Sequence, residues 1–171
     1  MGVTIHFEGR LRSSHDKAAL VSFISQRAEE MGWPCSPINE VEVVLKRILN
    51  DQDIDYVGPV SGIEVHLHAN CEPLRFEFDD QLYIQEWCKT QFAGADIHVE
   101  TVDLIRSAAK FFKRLSVVDE GEYFETGDRE VLQSHMDNVD EQMRSMMAKD
   151  PQLAGPVRQS SGRIADLVTR T

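Results

Sequence analysis

GIEVHLHANCEPLRFEFDDQLYIQEW, residues 62–87, alternates apolar and polar side chains through three short runs. Ile63, Val65 and Leu67 fall on one side of the first run; Glu64, His66 and His68 fall on the other. Leu74, Phe76 and Phe78 alternate with Arg75 and Glu77 in the second, and LYIQEW is the third. A period of two marks a half-buried strand. NCEP and Asp79-Asp80 are turn residues between neighbours, so the stretch reads as a meander of antiparallel strands.

The same pattern opens the chain. In VTIHFE, residues 3–8, Val3, Ile5 and Phe7 oppose Thr4, His6 and Glu8. Ser13, Ser14 and Asp16 are N-cap residues for a helix over 17–31, whose apolar face carries Ala18, Val21, Phe23, Ile24, Ala28 and Met31. Gly32 stops it, and Pro34 and Pro37 keep the next segment extended. In NEVEVVLKRIL, residues 39–49, Val41, Val44, Leu45, Ile48 and Leu49 fit a helix, which we favour over the strand that the β-branched content would also fit. NDQDIDYVGP, residues 50–59, reads as a loop. A second long helix is expected over 97–115, with Leu104, Ile105, Ala108, Phe111 and Phe112 on the sheet. Val117-Val118 and Tyr123-Phe124 read as two strand fragments around Gly121. Asp128 caps a third helix over 129–149, where Leu132, Met136, Val139, Met143 and Met146 form a short heptad seam.

The expected fold is therefore α+β: a mainly antiparallel sheet with helices 17–31 and 97–115 on one face. The element order permits a ferredoxin-like relative. The third helix covers an edge or contacts a partner. Residues 1–150 make one domain, and 151–171 form a linker-like tail.

Composition narrows the function. Hydrophobic residues make up 42% of the 171 and charged residues 27%, enough for a real core. Of 18 basic and 29 acidic residues, the tail holds Arg158, Arg163, Arg170 and Asp166, so it carries +2 and the body −13. A body of that sign is unsuited to nucleic acid or an anionic membrane surface and suited to basic partners. The tail is drawn to the body by the same charges. Cys35, Cys71 and Cys88 are three widely spaced cysteines without a CxxC, which fits reduced thiols in a cytoplasm. No signal-like segment, membrane-length apolar run or myristoylation pattern (His6 stands where Ser or Thr is required) is read.

Four groups of residues carry candidate chemistry. His6 and Glu8 share the outer face of one strand, and Glu64, His66 and His68 that of another. If the strands are neighbours, His6, His66 and His68 suit a divalent transition metal; the competing reading is solvated histidines. Asp119, Glu120, Glu122, Glu125 and Asp128 form an acidic run that lacks the EF-hand pattern; it reads as a solvated loop with a helix cap, or as a docking edge for a basic partner. Cys88 beside Lys89, with His98 ten residues on, is either an activated thiolate or a buried, inert thiol; burial fits the alternation better. Met136, Met143, Met146 and Met147 suit either packing on the sheet or an adaptable interface, including a homodimer through 129–147. No P-loop, nucleophile-elbow, dinucleotide or zinc-helix motif occurs.

The strings GVTIHFEG, CEPLRFEF, KTQFAG and DEGEYFETGD resemble those of an uncharacterised family of bacterial, cytoplasmic proteins. The resemblance spans residues 2–135 and implies a bacterial cytosolic setting. It implies no catalytic residue, cofactor or substrate. The expectation from the residues is a non-enzymatic, acidic protein-binding module without a cofactor, an inhibitor or immunity-type protein for a basic partner. It would engage that partner through Asp119, Glu120, Glu122, Glu125, Met136 and Met143. The alternative is a metal-dependent hydrolase using the three histidines.

Overall fold

In the computed structural model, which describes residues 2–170, the N-terminal alternating run becomes β1 (Thr4–Leu11). Ile5, Phe7 and Leu11 are buried; His6 and Arg10 are exposed. Helix α1 (Ser14–Met31) starts at Ser13, whose hydroxyl accepts the Asp16 N–H at 3.1 Å, and ends at Gly32, which takes the left-handed φ of 70° that closes a helix.

The next segment departs from expectation. Residues 39–49 are not helical but belong to strand β2 (Cys35–Leu49), and most of the expected loop lies in β3 (Gln52–Val65). The two form a long antiparallel ribbon with a bulge between Glu40 and Val43. Asn50 and Asp51 turn it with φ of 51° and 60°, the positive pair that a tight hairpin requires. Gly62 lets β3 approach β4 (Leu74–Phe78), because a Cβ there would lie 1.7 Å from the Phe76 carbonyl oxygen. β4 turns at Asp79 into β5 (Tyr83–Lys89). The Asp79 N–H donates to Tyr83 O at 3.0 Å, and the Glu72 N–H to Lys89 O at 3.0 Å, so the hairpin is tied at both ends.

Helix α2 (Ala95–Ala108) is shorter than expected. A 3₁₀ turn (Ala109–Phe111) follows it, and Phe112 then enters strand β6 (Phe112–Asp119). Tyr123-Phe124 is not a strand fragment; it lies in the single turn α3 (Tyr123–Thr126). Asp128 caps α4 (Arg129–Lys149) as expected, accepting the Glu130 N–H at 2.8 Å.

β1 lies between β5 and β6, and β3 lies between β2 and β4. With β4 turning back against β5, β1 and β4 run in the same direction on either side of it. The series β1-α1-β4-β5-α2-β6 is thus a split βαβ arrangement, with the ribbon added between α1 and β4. Leu20, Ile24 and Ala28 of α1 and Val102 and Ile105 of α2 share one core with Phe7, Phe76, Phe78 and Ile84. Both helices therefore cover one face. Val3, Leu132 and Met136 form a second, small cluster under α4.

Residues 151–170 fold back in two short pairings. β7 (Leu153–Ala154) meets β10 (Val168–Thr169), and β8 (Val157–Arg158) meets β9 (Ile164–Ala165). Among the described residues no helix is long and apolar enough to cross a membrane.

Candidate functional site

The face of the sheet away from the helices is only partly covered. Register places His6 opposite both Trp87 and Val118, and Glu8 opposite both Gln85 and Ser116, so these six share that face. The tip of the ribbon leans over them. Its cross-strand pairs Lys46–Asp55 and Ile48–Asp53 form the other wall of a cleft of about 680 Å³. Ile48, Trp87 and Val118 give the cleft an exposed apolar lining, in a volume typical of ligand sites.

Two residues hold the ribbon in place. The Gln85 amide accepts the Ile48 N–H at 2.9 Å and donates to the Ile48 carbonyl at 2.8 Å and to Glu8 at 3.0 Å. Arg47 is buried, donates from Nη1 to Asp79 at 2.5 Å, and lies between the rings of Tyr56 and Tyr83, 4.8 Å and 4.9 Å from their centroids. Those aromatic faces attract the cation and keep its charge out of water. The Tyr83 hydroxyl donates to Glu8 at 3.1 Å; burial, and then that carboxylate, push its pKa up to about 12.

Beside the cleft the tail places an arginine in a socket. The Arg163 guanidinium sits 4.0 Å over the Trp87 ring. It donates to Glu86 at 2.6 Å, to the Trp87 carbonyl at 2.7 Å and to Glu72 at 3.4 Å. Glu72 also accepts the Ile164 N–H at 2.7 Å, and Lys89 pairs with Asp166 at 2.9 Å. Burial and then the nearby Glu86 hold the Glu77 carboxyl above its usual range.

The residues singled out in the sequence are placed differently. β4 and β5 separate β1 from β3, so His6 does not meet His66 and His68. The condition for the histidine site is not met, and among the described residues no group of three His, Cys, Asp or Glu is placed to hold a metal. His66 pairs with Glu64 at 2.9 Å, and His68 accepts the Asn70 N–H at 3.0 Å. Burial alone would raise the Glu64 carboxyl, but Arg75 and then His66 bring it below its usual range.

Of the acidic run, Glu122 and Glu125 are exposed and Asp128 is a cap. Asp119 is 5% exposed and therefore not a docking residue. Glu120 accepts the Thr4 N–H at 2.9 Å and lies 3.5 Å from His6; burial raises its carboxyl, and these two partners lower it further still. Met136 and Met143 are 3% and 4% exposed and pack on this chain's own body, whereas Met146 at the end of the seam is 40% exposed. Cys88 is buried, its Sγ 3.6 Å from that of Cys71; the hydrogen bond with Cys71 and then burial push the thiol up, opposite to activation. A thiol reagent should label one cysteine per native chain, Cys35, and all three only in denaturant, read by mass; rapid native labelling of Cys88 would contradict its burial.

His98 serves a different arrangement. Its Nδ1 is 2.7 Å from the Thr90 hydroxyl and its Nε2 is 2.9 Å from Asp119. The order hydroxyl, imidazole, carboxylate matches that of a nucleophilic triad. Thr90 and His98 are both fully buried, so no substrate reaches the hydroxyl, and the group is a structural tie.

No protein-family model, curated protein or solved structure matches the chain.

Of the residues selected from sequence, His6 and Glu8 line the cleft; Ile48, Trp87 and Arg163 were not selected. Trp87 carried a signal: an indole at an outward position of an alternating strand, where solvent is the default neighbour. Arg163 carried another, as one of three cations in a tail with a single acid.

Proposed function

We propose that the chain is a non-catalytic binding module for a basic protein partner, in the manner of an inhibitor or immunity-type protein, acting in a bacterial cytosol. Its contact surface is the cleft and the adjoining socket. The observation that carries this reading is Arg163: a basic segment already lies on Trp87, Glu72 and Glu86, with its guanidinium stacked and doubly ion-paired. A partner arginine that displaces Arg163 would meet the same groups, with Ile48 and Val118 receiving apolar side chains beside it. The −13 body steers such a partner inwards.

The test is titration of the full chain with a fluorescent arginine- and leucine-rich peptide, followed by anisotropy. Binding is expected to weaken about ten-fold between 50 and 500 mM salt, because rim charges are screened. Trp87→Ala should weaken it about ten-fold or more, as for an aromatic anchor at an interface centre. Absence of binding at low salt, or binding indifferent to both salt and Trp87, would refute the proposal.

A further inference from the structure

A second cavity, of about 610 Å³, opens on the same face of the sheet, one register row beyond the cleft. The sheet contributes Tyr83, Arg10, Lys113 and Arg114 to its wall, and the ribbon contributes Ile48 and Leu49. Register sets Arg10 directly opposite Arg114, and like charges in that position repel. Arg10 leans away towards β5, its Cζ 5.9 Å from the Tyr83 centroid and its Nη1 donating to the Gln81 carbonyl at 3.0 Å. Among the described residues, neither the Lys113 nor the Arg114 side chain makes an ion pair or a hydrogen bond, although acids outnumber bases 29 to 18 in the chain. Arg47 adds a further guanidinium against the Tyr83 ring, with Nε and Nη2 unbonded. The carboxylates at hand are engaged, Glu8 by the Tyr83 hydroxyl and the Gln85 amide, Asp79 by Arg47.

We propose that this cavity binds a small organic phosphate, its phosphate held by Arg114, Lys113 and Arg10 and its apolar part laid on Ile48 and Leu49. A phosphate dianion relieves the repulsion between Arg10 and Arg114 and gives oxygens to donors that the protein leaves unpaired. Guanidinium groups match phosphate in geometry as well as in charge. Ile48 is 62% exposed and Leu49 half-buried, so a hydrocarbon or aromatic group placed on them leaves water. The ligand is small because the basic wall is local. The rest of the body carries a large excess of acid, and fields fade over roughly 8 Å at physiological salt. A compact anion therefore meets the cations alone, whereas a polyanion would run onto like charge. Trp87 and Arg163 take no part, so the site does not depend on the binding role proposed above.

Titration of the isotope-labelled full chain with phenyl phosphate and with inorganic phosphate, followed by amide shifts in nuclear magnetic resonance, tests it. Shifts are expected at Gly9, Asn50, Lys113 and Arg114, which border the cavity. Phenyl phosphate should bind about ten-fold more tightly than inorganic phosphate, because its ring adds apolar burial. Arg114→Thr keeps a strand-forming residue at an exposed position and should stay folded by circular dichroism. It should weaken phenyl phosphate about ten-fold, as loss of a charge-assisted contact does, and Lys113→Gln should weaken it too. Trp87→Ala should leave both affinities unchanged, which separates this result from the peptide titration. No saturation by about 20 mM, equal affinity for the two probes, shifts clustered elsewhere, or binding that ignores Arg114 and Lys113 overturns the proposal. So does tighter binding of a phosphotyrosyl peptide or of phosphatidate vesicles, which would assign the cavity to a protein or to a membrane.

Discussion

His98→Ala is expected to lower the free energy of unfolding by about 3–5 kcal/mol, the cost of breaking a buried pair and leaving one member behind. The imidazole connects β5, through Thr90, with the end of β6, through Asp119. Removing it leaves a carboxylate and a hydroxyl in a fully buried cavity. Burial alone would raise the Asp119 carboxyl, but His98 and the N–H groups of Phe124 and Gly121 outweigh it and hold the carboxyl below its usual range. A folded-state value below the unfolded one means that the stabilisation is complete above the unfolded pKa of about 4 and is lost as pH falls through the folded value. Urea unfolding at pH 7 and at pH 3 reads both effects: the wild type loses stability on acidification, and His98→Ala loses less because that pairing is already gone. A penalty under about 1 kcal/mol at pH 7 would mean that the buried contacts are not those described.

Arg47→Ala should cost about 3 kcal/mol, with a distinct structural outcome. The Asp79 carboxylate keeps two hydrogen bonds, from the Gln81 and Tyr83 N–H groups, and so stays partly satisfied. Tyr56 loses its ring contact, and the ribbon keeps the Gln85 amide and the Asp80 N–H donated to the Tyr56 hydroxyl at 3.4 Å to hold it over the sheet. Limited proteolysis of the folded variant should therefore cut within residues 46–55 faster than in the wild type, while the helix-covered core stays intact. Arg47→Met, which retains the packed stem, should sit between the two. Cleavage that starts in the core, or no acceleration, would show that Arg47 does not anchor the ribbon.

The covered part of the fold was legible because one wet and one dry face write a period of two. Ile5/Phe7, Ile63/Val65, Leu74/Phe76/Phe78 and Ile84 all follow it, and Ser13, Gly32 and Asp128 mark their helix ends by their own chemistry. The ribbon was not legible for the opposite reason: water reaches both of its faces, so its valines and isoleucines are not sorted by burial. Val41, Val44, Leu45, Ile48 and Leu49 then coincide with a helical period, and Asp53 and Asp55 read as loop. Asn50-Asp51 between two β-branched runs was the available signal for a hairpin. The second helix was drawn too long because Phe112 and Leu115 continue its apolar spacing after the chain has entered β6. The histidine site failed on strand order, which a single sequence does not encode locally. The cleft depends on a ribbon and a tail folding onto the sheet from distant parts of the chain.

The position of β1 has a consequence for the order of folding. It is synthesised first, yet both of its neighbours, Tyr83–Lys89 and Phe112–Asp119, emerge late. Such distant pairings require large loops to close before they are rewarded, which slows folding. The ribbon needs only its own turn and forms early, displaying the VVLKRIL edge while the sheet that will roof Ile48 is still incomplete. The ribbon, whose Val44 and Ile48 stay exposed in the folded chain, is thus complete before the sheet that it leans over.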